Sequence, residues 1–328
     1  MKLLLGYPVE ENHVAQIRAS VPAYEVVVAE QTQLAELLPS ADLFCGHVKV
    51  PVDWGKIVDA KRLKWIQSSA AGLDHCLHPR VVESDIIVTS ASGVLADQVA
   101  EHALSLISAV LRSLPTFMVA QAQREFKRRP TRDLHGSTVG IVGFGGVGRR
   151  IAELLAPYRV TILATDYFSV DAPSHVKHVW SREELPRLLT QSDIVVLAVP
   201  LTDETRGLMN TSRFDCMKPQ SVLVNICRGP VVVEKDLIAA LRTGKISSAA
   251  IDVTSEEPLP AGNPLWTAPN LLITPHVAGQ ARTRIDRMTE FLVDNLVRYQ
   301  SGQPLQNMVD KQLGFPVPQD SVSILPKR

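Results

Sequence analysis

The chain has 328 residues, more than one ordinary hydrophobic core accommodates, so two domains are expected. Hydrophobic residues make up 45% and charged residues 21%, the balance of a soluble globular protein. Lys+Arg and Asp+Glu each total 34, which leaves no bulk field to attract nucleic acid or an anionic membrane.

The opening "MKLLLGYPVEE" reads as a first strand and its turn, not a signal peptide, because its short apolar run ends at Pro8 and two glutamates. Strands are expected over 2–7, 24–29, 42–47, 63–69 and 86–90, with helical spacing over 9–21 and 32–38. The longest helical pattern, 97–114, is interrupted by Pro115 and continues through "TFMVAQAQREFKRR". After the polar loop "PTRDLHG" (130–136), strands are expected over 138–143, 160–166, 193–199, 221–226, 248–253 and 270–275. These near-continuous Val/Ile/Leu runs suit parallel strands buried on both faces. Helical periodicity returns over 282–302, then "QPLQNMV" (303–309) reads as a closing strand or turn, and 316–328 as an extended surface arm. The alternation points to α/β architecture: two Rossmann-like, doubly wound parallel-sheet domains with an interdomain cleft. The expected boundaries are 1–98 plus 284–328 for a flavodoxin-like substrate-binding domain, and 99–283 for a dinucleotide-binding domain.

Cys45, Cys76, Cys216 and Cys227 form no C-x-x-C pair, which argues against a disulfide framework or a metal site and for a reducing cytoplasm. No apolar run approaches the roughly 20 residues that span a bilayer. The basic run "REFKRRP" (124–130) reads as a solvated loop face.

"TVGIVGFGGVGRRIAELLAPYRVTILATDYF" carries a chemical signal. Gly143, Gly145 and Gly148 place G-x-G-x-x-G between a strand and a helix. The first glycine permits the tight turn, the second lets a pyrophosphate approach the backbone, and the third lets helix and strand pack closely. The helix start then offers N–H groups and a positive dipole end to phosphates. Asp166, at the end of the following strand, suits the ribose hydroxyls and repels a 2′-phosphate. With no Arg immediately after it, NAD is expected over NADP.

From here the chain resembles the D-isomer-specific 2-hydroxyacid dehydrogenases. The match runs in order through "SSAAGLDH", "DQVAEHAL", "DLHGSTVGIVGFGGVG", "VPLTDETRGLMN", "LVNICRGPVV", "AIDVTSEEPLP" and "ITPHVAGQ". The resemblance implies NAD-dependent interconversion of a 2-keto acid and a D-2-hydroxy acid by a homodimer, with the helix over 97–114 in its interface. It implies that His276 is the acid/base, Glu257 its carboxylate partner and Arg228 the substrate-binding arginine. Ala71 and Gly72 fall in the loop that meets the substrate carboxylate. Gly146, Val147, Pro200, Thr205, Ile226, Cys227 and Gly279 align with cofactor-lining positions, and Asp252 with a carboxylate near the nicotinamide amide. His75 and His102 read as structural, and Cys227 as a packing residue.

The chemistry agrees with those roles. Hydride transfer to C2 of a keto acid builds negative charge on the carbonyl oxygen, and a histidine can deliver the proton that must arrive there. A neighbouring carboxylate favours the imidazolium and sets its tautomer. A planar guanidinium grips a carboxylate bidentately, which a lysine does not.

Three stretches depart from the family pattern: Gln280 where Thr or Ser is usual, a shortened "APYRVTI" (156–162), and "REF" in place of a Trp-containing segment. They leave the choice of acid open. Two other readings also stay open. One is a formate- or phosphite-type dehydrogenase, against which Glu257 stands where the formate enzymes have Gln. The other is an NADH-sensing binding protein like the corepressors that share the scaffold.

Overall fold

A computed structural model describes residues 1–317. The chain divides into two compact units, Ala96–Gln280 and a second that joins Met1–Leu95 to the residues from Ala281 onward. Sequence reading put these crossings at 98/99 and 283/284.

In the discontinuous unit, β1 (Lys2–Gly6), β2 (Glu25–Val28), β3 (Leu43–Gly46), β4 (Trp65–Ser68) and β5 (Ile87–Thr89) form a parallel sheet in the order β2-β1-β3-β4-β5. The helix Glu11–Ser20 begins at a capping box in which the Glu10 and His13 side chains each bond the other's backbone N–H. After the second crossing, the helix Arg284–Gln300 buries Met288, Leu292 and Leu296 in one cluster with Leu3, Leu5, Ile17 and Trp65. Each such side chain withdraws about 1.5–3 kcal/mol of apolar surface from water. That burial holds the returning segment to the sheet. The 303–309 stretch closes it, through Asn295 to Gln306, Asn307 to Ser90, and an antiparallel bridge between Met308 and Thr89.

The continuous unit contains β6 (Thr138–Val142), β7 (Thr161–Asp166), β8 (His178–Ser181), β9 (Ile194–Leu197), β10 (Val222–Asn225), β11 (Ser248–Ile251) and β12 (Leu271–Ile273). All pair in parallel, in the order β12-β11-β10-β9-β6-β7-β8. Both units are Rossmann-like. In the seven-stranded sheet the strand order reverses between β6 and β9, the place where open α/β sheets bind ligands at their carboxyl ends. Every residue of β9 and β10 is buried, as the Val/Ile/Leu runs require.

Four details depart from expectation. β8 went unread because "HVWS" is a short, half-exposed edge strand without an apolar run. The long helix stops at Leu111: Ser113 is left-handed (φ 54°), and Pro115 opens a separate helix, Leu114–Ala122, bent by 65° from the first. That second helix ends before "REFKRR", where Arg124 is left-handed (φ 58°) and the Glu125 N–H closes on Ala120 O at 2.8 Å. Finally, the expected terminal arm begins inside an antiparallel pair, β13 (Val309–Asp310) with β14 (Phe315–Pro316), and from 318 onward it lies outside the described residues. Among the described residues no single helix is long and apolar enough to cross a membrane.

Candidate active site

Three neighbouring strands of the seven-stranded sheet, β10, β11 and β12, each end in a loop that carries one member of the expected triad. The first loop is shaped by Asn225. Its Oδ1 accepts the Cys227 N–H at 3.1 Å and its Nδ2 donates to Arg228 O at 3.1 Å, a side-chain-closed turn. Arg228 follows, half-buried, with Nη1 donating to Cys227 O at 2.8 Å. Burial pushes the Cys227 thiol up to about 11, so the group stays protonated at neutral pH and packs instead of reacting.

Gly229 couples this loop to the next. A Cβ there would lie 1.9 Å from the Thr254 carbonyl carbon and 2.4 Å from Ser255 N, so only a glycine lets the two backbones pass. Thr254 in turn holds Glu257, its N–H donating to Oε1 at 3.0 Å, while Thr254 Oγ1 donates to Glu256 O at 2.7 Å. Glu257 Oε2 stands 2.7 Å from His276 Nδ1. An ionised carboxylate only accepts, so Nδ1 carries the hydrogen and Nε2 is the ring atom left to exchange a proton. The pair is partly open to solvent, with side chains 45% and 38% exposed. His276 itself is left-handed (φ 54°), and its N–H donates to Asp252 O at 2.7 Å. The buried Asp252 carboxylate takes Val277 N at 3.0 Å, Ala278 N at 2.9 Å and Thr274 Oγ1 at 2.6 Å. Burial alone would raise its pKa; the donors from His102, Thr274, Val277 and Ala278 more than reverse this and hold it below the ordinary aspartate range.

On the other side of the strand-order reversal lies the glycine loop. Gly143 is left-handed (φ 98°) and a Cβ on it would meet Ala198 O at 2.7 Å, where β6 and β9 end side by side. Gly148 is buried against Gly143 O, which a Cβ would approach to 2.1 Å. Gly145 and Gly146 are exposed; among the described residues nothing lies within 4 Å of a Cβ on Gly145, and no side chain caps the helix Gly146–Leu155 that Gly145 starts. The N–H groups of that first turn, including Val147, face an open cradle of the kind a pyrophosphate fills. Asp166 Oδ2 accepts Phe144 N at 2.6 Å, and Oδ1 accepts Phe168 N at 2.9 Å, so the carboxylate also anchors the loop. Pro200 and Thr205 share one turn, closed by Thr205 Oγ1 donating to Pro200 O at 2.6 Å. Ile226 is buried beside Cys227, and Gly279 lies in the turn after Ala278.

Ala71 and Gly72 belong to the other unit, in the loop after β4. There Ser68 Oγ bonds Ala70 O at 2.9 Å and His75 Nε2 at 2.8 Å, and His75 Nδ1 accepts Val48 N at 3.2 Å. His75 thus ties the end of β4 to Val48.

Sequence reading missed four participants. Asn225 and Gly229 shape the Arg228 loop, and the pattern "NICRGP" holds the only signal for them. His102 meets Thr274 across 172 residues of chain, with Nε2 and Oγ1 3.1 Å apart. Arg182 corrects the argument from a missing arginine. β8 pairs Ser181 with Asp166, which brings Arg182 beside the strand end, its guanidinium 4.5 Å from the Tyr167 ring. There it bonds Glu183 at 3.0 Å and ion-pairs with Glu204.

Residues 104–278 match the family model described as "D-isomer specific 2-hydroxyacid dehydrogenase, NAD binding domain". The glyoxylate reductase of Thermofilum pendens is 35% identical over 276 residues, covering 81% of this chain and 80% of that one. The glycerate dehydrogenase of Methylorubrum extorquens is 31% identical over 85% of this chain and 88% of its own. Among solved structures, a D-isomer specific 2-hydroxyacid dehydrogenase from Xanthobacter autotrophicus, in complex with NADPH and MES, superposes with a TM-score of 0.82 at 30% identity, over 96% of this chain and 99% of that one. The chain belongs to the D-isomer specific 2-hydroxyacid dehydrogenase family, oxidoreductases that act on CH–OH groups with a nicotinamide dinucleotide.

Proposed function

We propose that this enzyme reduces a small 2-keto acid to the D-2-hydroxy acid, and catalyses the reverse, with His276 as acid/base, Glu257 as its partner and Arg228 as the substrate-binding group. The observation that carries this reading is the 2.7 Å contact between His276 Nδ1 and Glu257 Oε2, on a loop interlocked through Gly229 with the one bearing Arg228. The nicotinamide supplies the hydride when bound. The chain's part is to orient the keto acid's carboxylate on the Arg228 guanidinium and to pass a proton from His276 Nε2 to the carbonyl oxygen as charge builds there. Glu257 holds the ring in the tautomer this requires.

The cradle formed by Gly143, Gly145, Gly146, Val147 and Gly148 would hold the pyrophosphate, with Asp166 on the adenosine ribose and Pro200, Thr205, Ile226, Cys227 and Gly279 along the remaining length. NAD is the proposed cofactor. The Asp166 charge repels a 2′-phosphate, and Arg182, the cation that would attract one, is paired to Glu183 and Glu204.

A homodimer is also proposed, with its contact shifted along the chain. The helix Ala96–Leu111 spends Ala100, Ala103, Ile107 and Leu111 on its own unit's core, whereas the next helix exposes Leu114, Met118 and Val119. A cytoplasmic location fits the four unbridged cysteines.

The deciding experiment is NADH consumption against a panel of keto acids: glyoxylate, hydroxypyruvate, pyruvate and bulkier analogues. Turnover on at least one is expected. Tight NADH binding with no turnover on any would overturn the reading in favour of a sensor.

A further inference from the structure

His276 owes its place to its backbone as much as to Glu257. A non-glycine residue in the left-handed region costs of order 1–2 kcal/mol and persists only where its surroundings over-determine it. Here the surroundings are one carboxylate. Asp252 is 1% exposed and receives Thr274 Oγ1, Val277 N and Ala278 N, donors that lie on both sides of His276 in the chain. Its main-chain oxygen takes the His276 N–H. A further donor comes from outside the turn. His102 Nε2, on the helix Ala96–Leu111, lies 3.3 Å from Asp252 Oδ1 and 3.1 Å from Thr274 Oγ1. The Thr274 hydroxyl has given its hydrogen to Asp252, so both atoms facing Nε2 accept, and Nε2 must carry a hydrogen.

We propose that His102 is a positioning residue for His276: by donating to Asp252 and Thr274 it locks the carboxylate that holds the 274–278 turn, and so sets where the His276 ring stands. The inference rests on the proposed acid/base role of His276. It divides the work between two carboxylates, Glu257 gripping the ring and Asp252, backed by His102, gripping the backbone. Removing the His102 donor leaves the buried carboxylate short of one hydrogen bond and frees Thr274 to rotate. A displacement of about 1 Å at a reacting group costs roughly a hundredfold, so even a fraction of that shift is measurable.

The test compares His102→Ala and His102→Gln, the latter because the glutamine amide nitrogen can donate from nearly the position of the imidazole Nε2. With glyoxylate and hydroxypyruvate as probes, His102→Ala is expected to lower kcat about tenfold or more, and His102→Gln to restore most of the loss. NADH affinity, read by fluorescence titration, should fall far less than kcat. Thermal melting of both variants separates displacement from unfolding. A His102→Ala enzyme with wild-type kcat, a glutamine variant no better than alanine, or a loss of NADH affinity equal to the loss in kcat would each overturn the proposal. His276→Ala, assayed in parallel, keeps the two readings apart. If it retains turnover, the acid/base reading falls; if it is dead while His102→Ala runs at full rate, this inference alone is rejected.

Discussion

The two halves of the seven-stranded sheet, either side of the β6/β9 junction, solve the same problem by opposite means. In the nucleotide half the strand ends are shaped by what is missing: no Cβ fits at Gly143 or Gly148, and the open cradle at Gly145 offers backbone N–H groups alone. In the triad half they are shaped by side chains that hold one another, with Asn225 closing one loop, Thr254 holding Glu257, and Asp252 and His102 fastening the turn of His276. Backbone recognition suits a cofactor whose phosphates are always the same. Proton transfer needs one ring nitrogen in one place, and only a network of side chains supplies that.

The largest expected effect falls on the second half. His276→Ala should lower kcat by about 100- to 10,000-fold, the usual worth of a general acid, and change NADH affinity far less; steady-state assays with equilibrium titration decide. Next come two glycine replacements that set the halves against each other. In Gly229→Ala the new Cβ would sit 1.9 Å from the Thr254 carbonyl carbon, so the backbones must part. Overpacking of that kind costs about 1–3 kcal/mol or more, and a lower melting temperature with lost turnover is expected. In Gly145→Ala the Cβ meets none of the described residues within 4 Å and φ is an ordinary −74°. The melting temperature should hold, and the damage should appear as a weaker NADH Kd. Equal melting losses in the two variants would erase the distinction.

How far the site was legible in sequence follows the same division. The glycine cradle could be read because its chemistry is local: glycines at fixed spacing between a strand and a helix. The buried strands were readable from their Val/Ile/Leu runs, and Arg228, Glu257 and His276 from the motif series. Contacts made by strand adjacency left no such trace. Gly229 meets Thr254 because β10 lies beside β11, and His102 meets Thr274 from a helix 172 residues earlier. Arg182 was invisible for a plainer reason. The strand that precedes it, β8, is four residues long with no buried member, so neither its existence nor its register with Asp166 could be read.

A smaller effect concerns cofactor choice. Asp166→Ala removes the charge that repels a 2′-phosphate, and should raise the NADPH/NADH ratio of kcat/KM about tenfold, the scale of one exposed charge interaction in a binding cleft. Adding Glu204→Gln unpairs Arg182 from that partner and should raise the ratio further; Arg182→Ala should reverse the gain. Wild-type enzyme that already prefers NADPH would place Arg182, not Asp166, in control. Glu257→Gln is subtler still. The amide has one oxygen to accept where the carboxylate used two, for Thr254 N and His276 Nδ1, so one of those hydrogen bonds is lost and kcat for keto-acid reduction should fall while NADH affinity holds.

The smallest effect tests the opposite edge of the sheet. Asp193 precedes β9 at the amino ends of the strands, accepting Lys218 Nζ at 2.6 Å and Thr138 N at 2.8 Å. Partial burial works against its charge, but the hydrogen bonds and the Lys218 ammonium prevail and hold its pKa below the ordinary value. A depressed folded-state pKa contributes stability that is whole above the unfolded value of about 3.9 and is lost as pH falls through the folded one. The melting-temperature gap between wild type and Asp193→Asn should therefore be full at pH 6 and close below about pH 4. Turnover at neutral pH should be retained, since no member of the triad or the glycine cradle touches this residue. A variant that loses kcat while keeping its melting temperature would show that the amino edge of this sheet takes part in the chemistry proposed for the other.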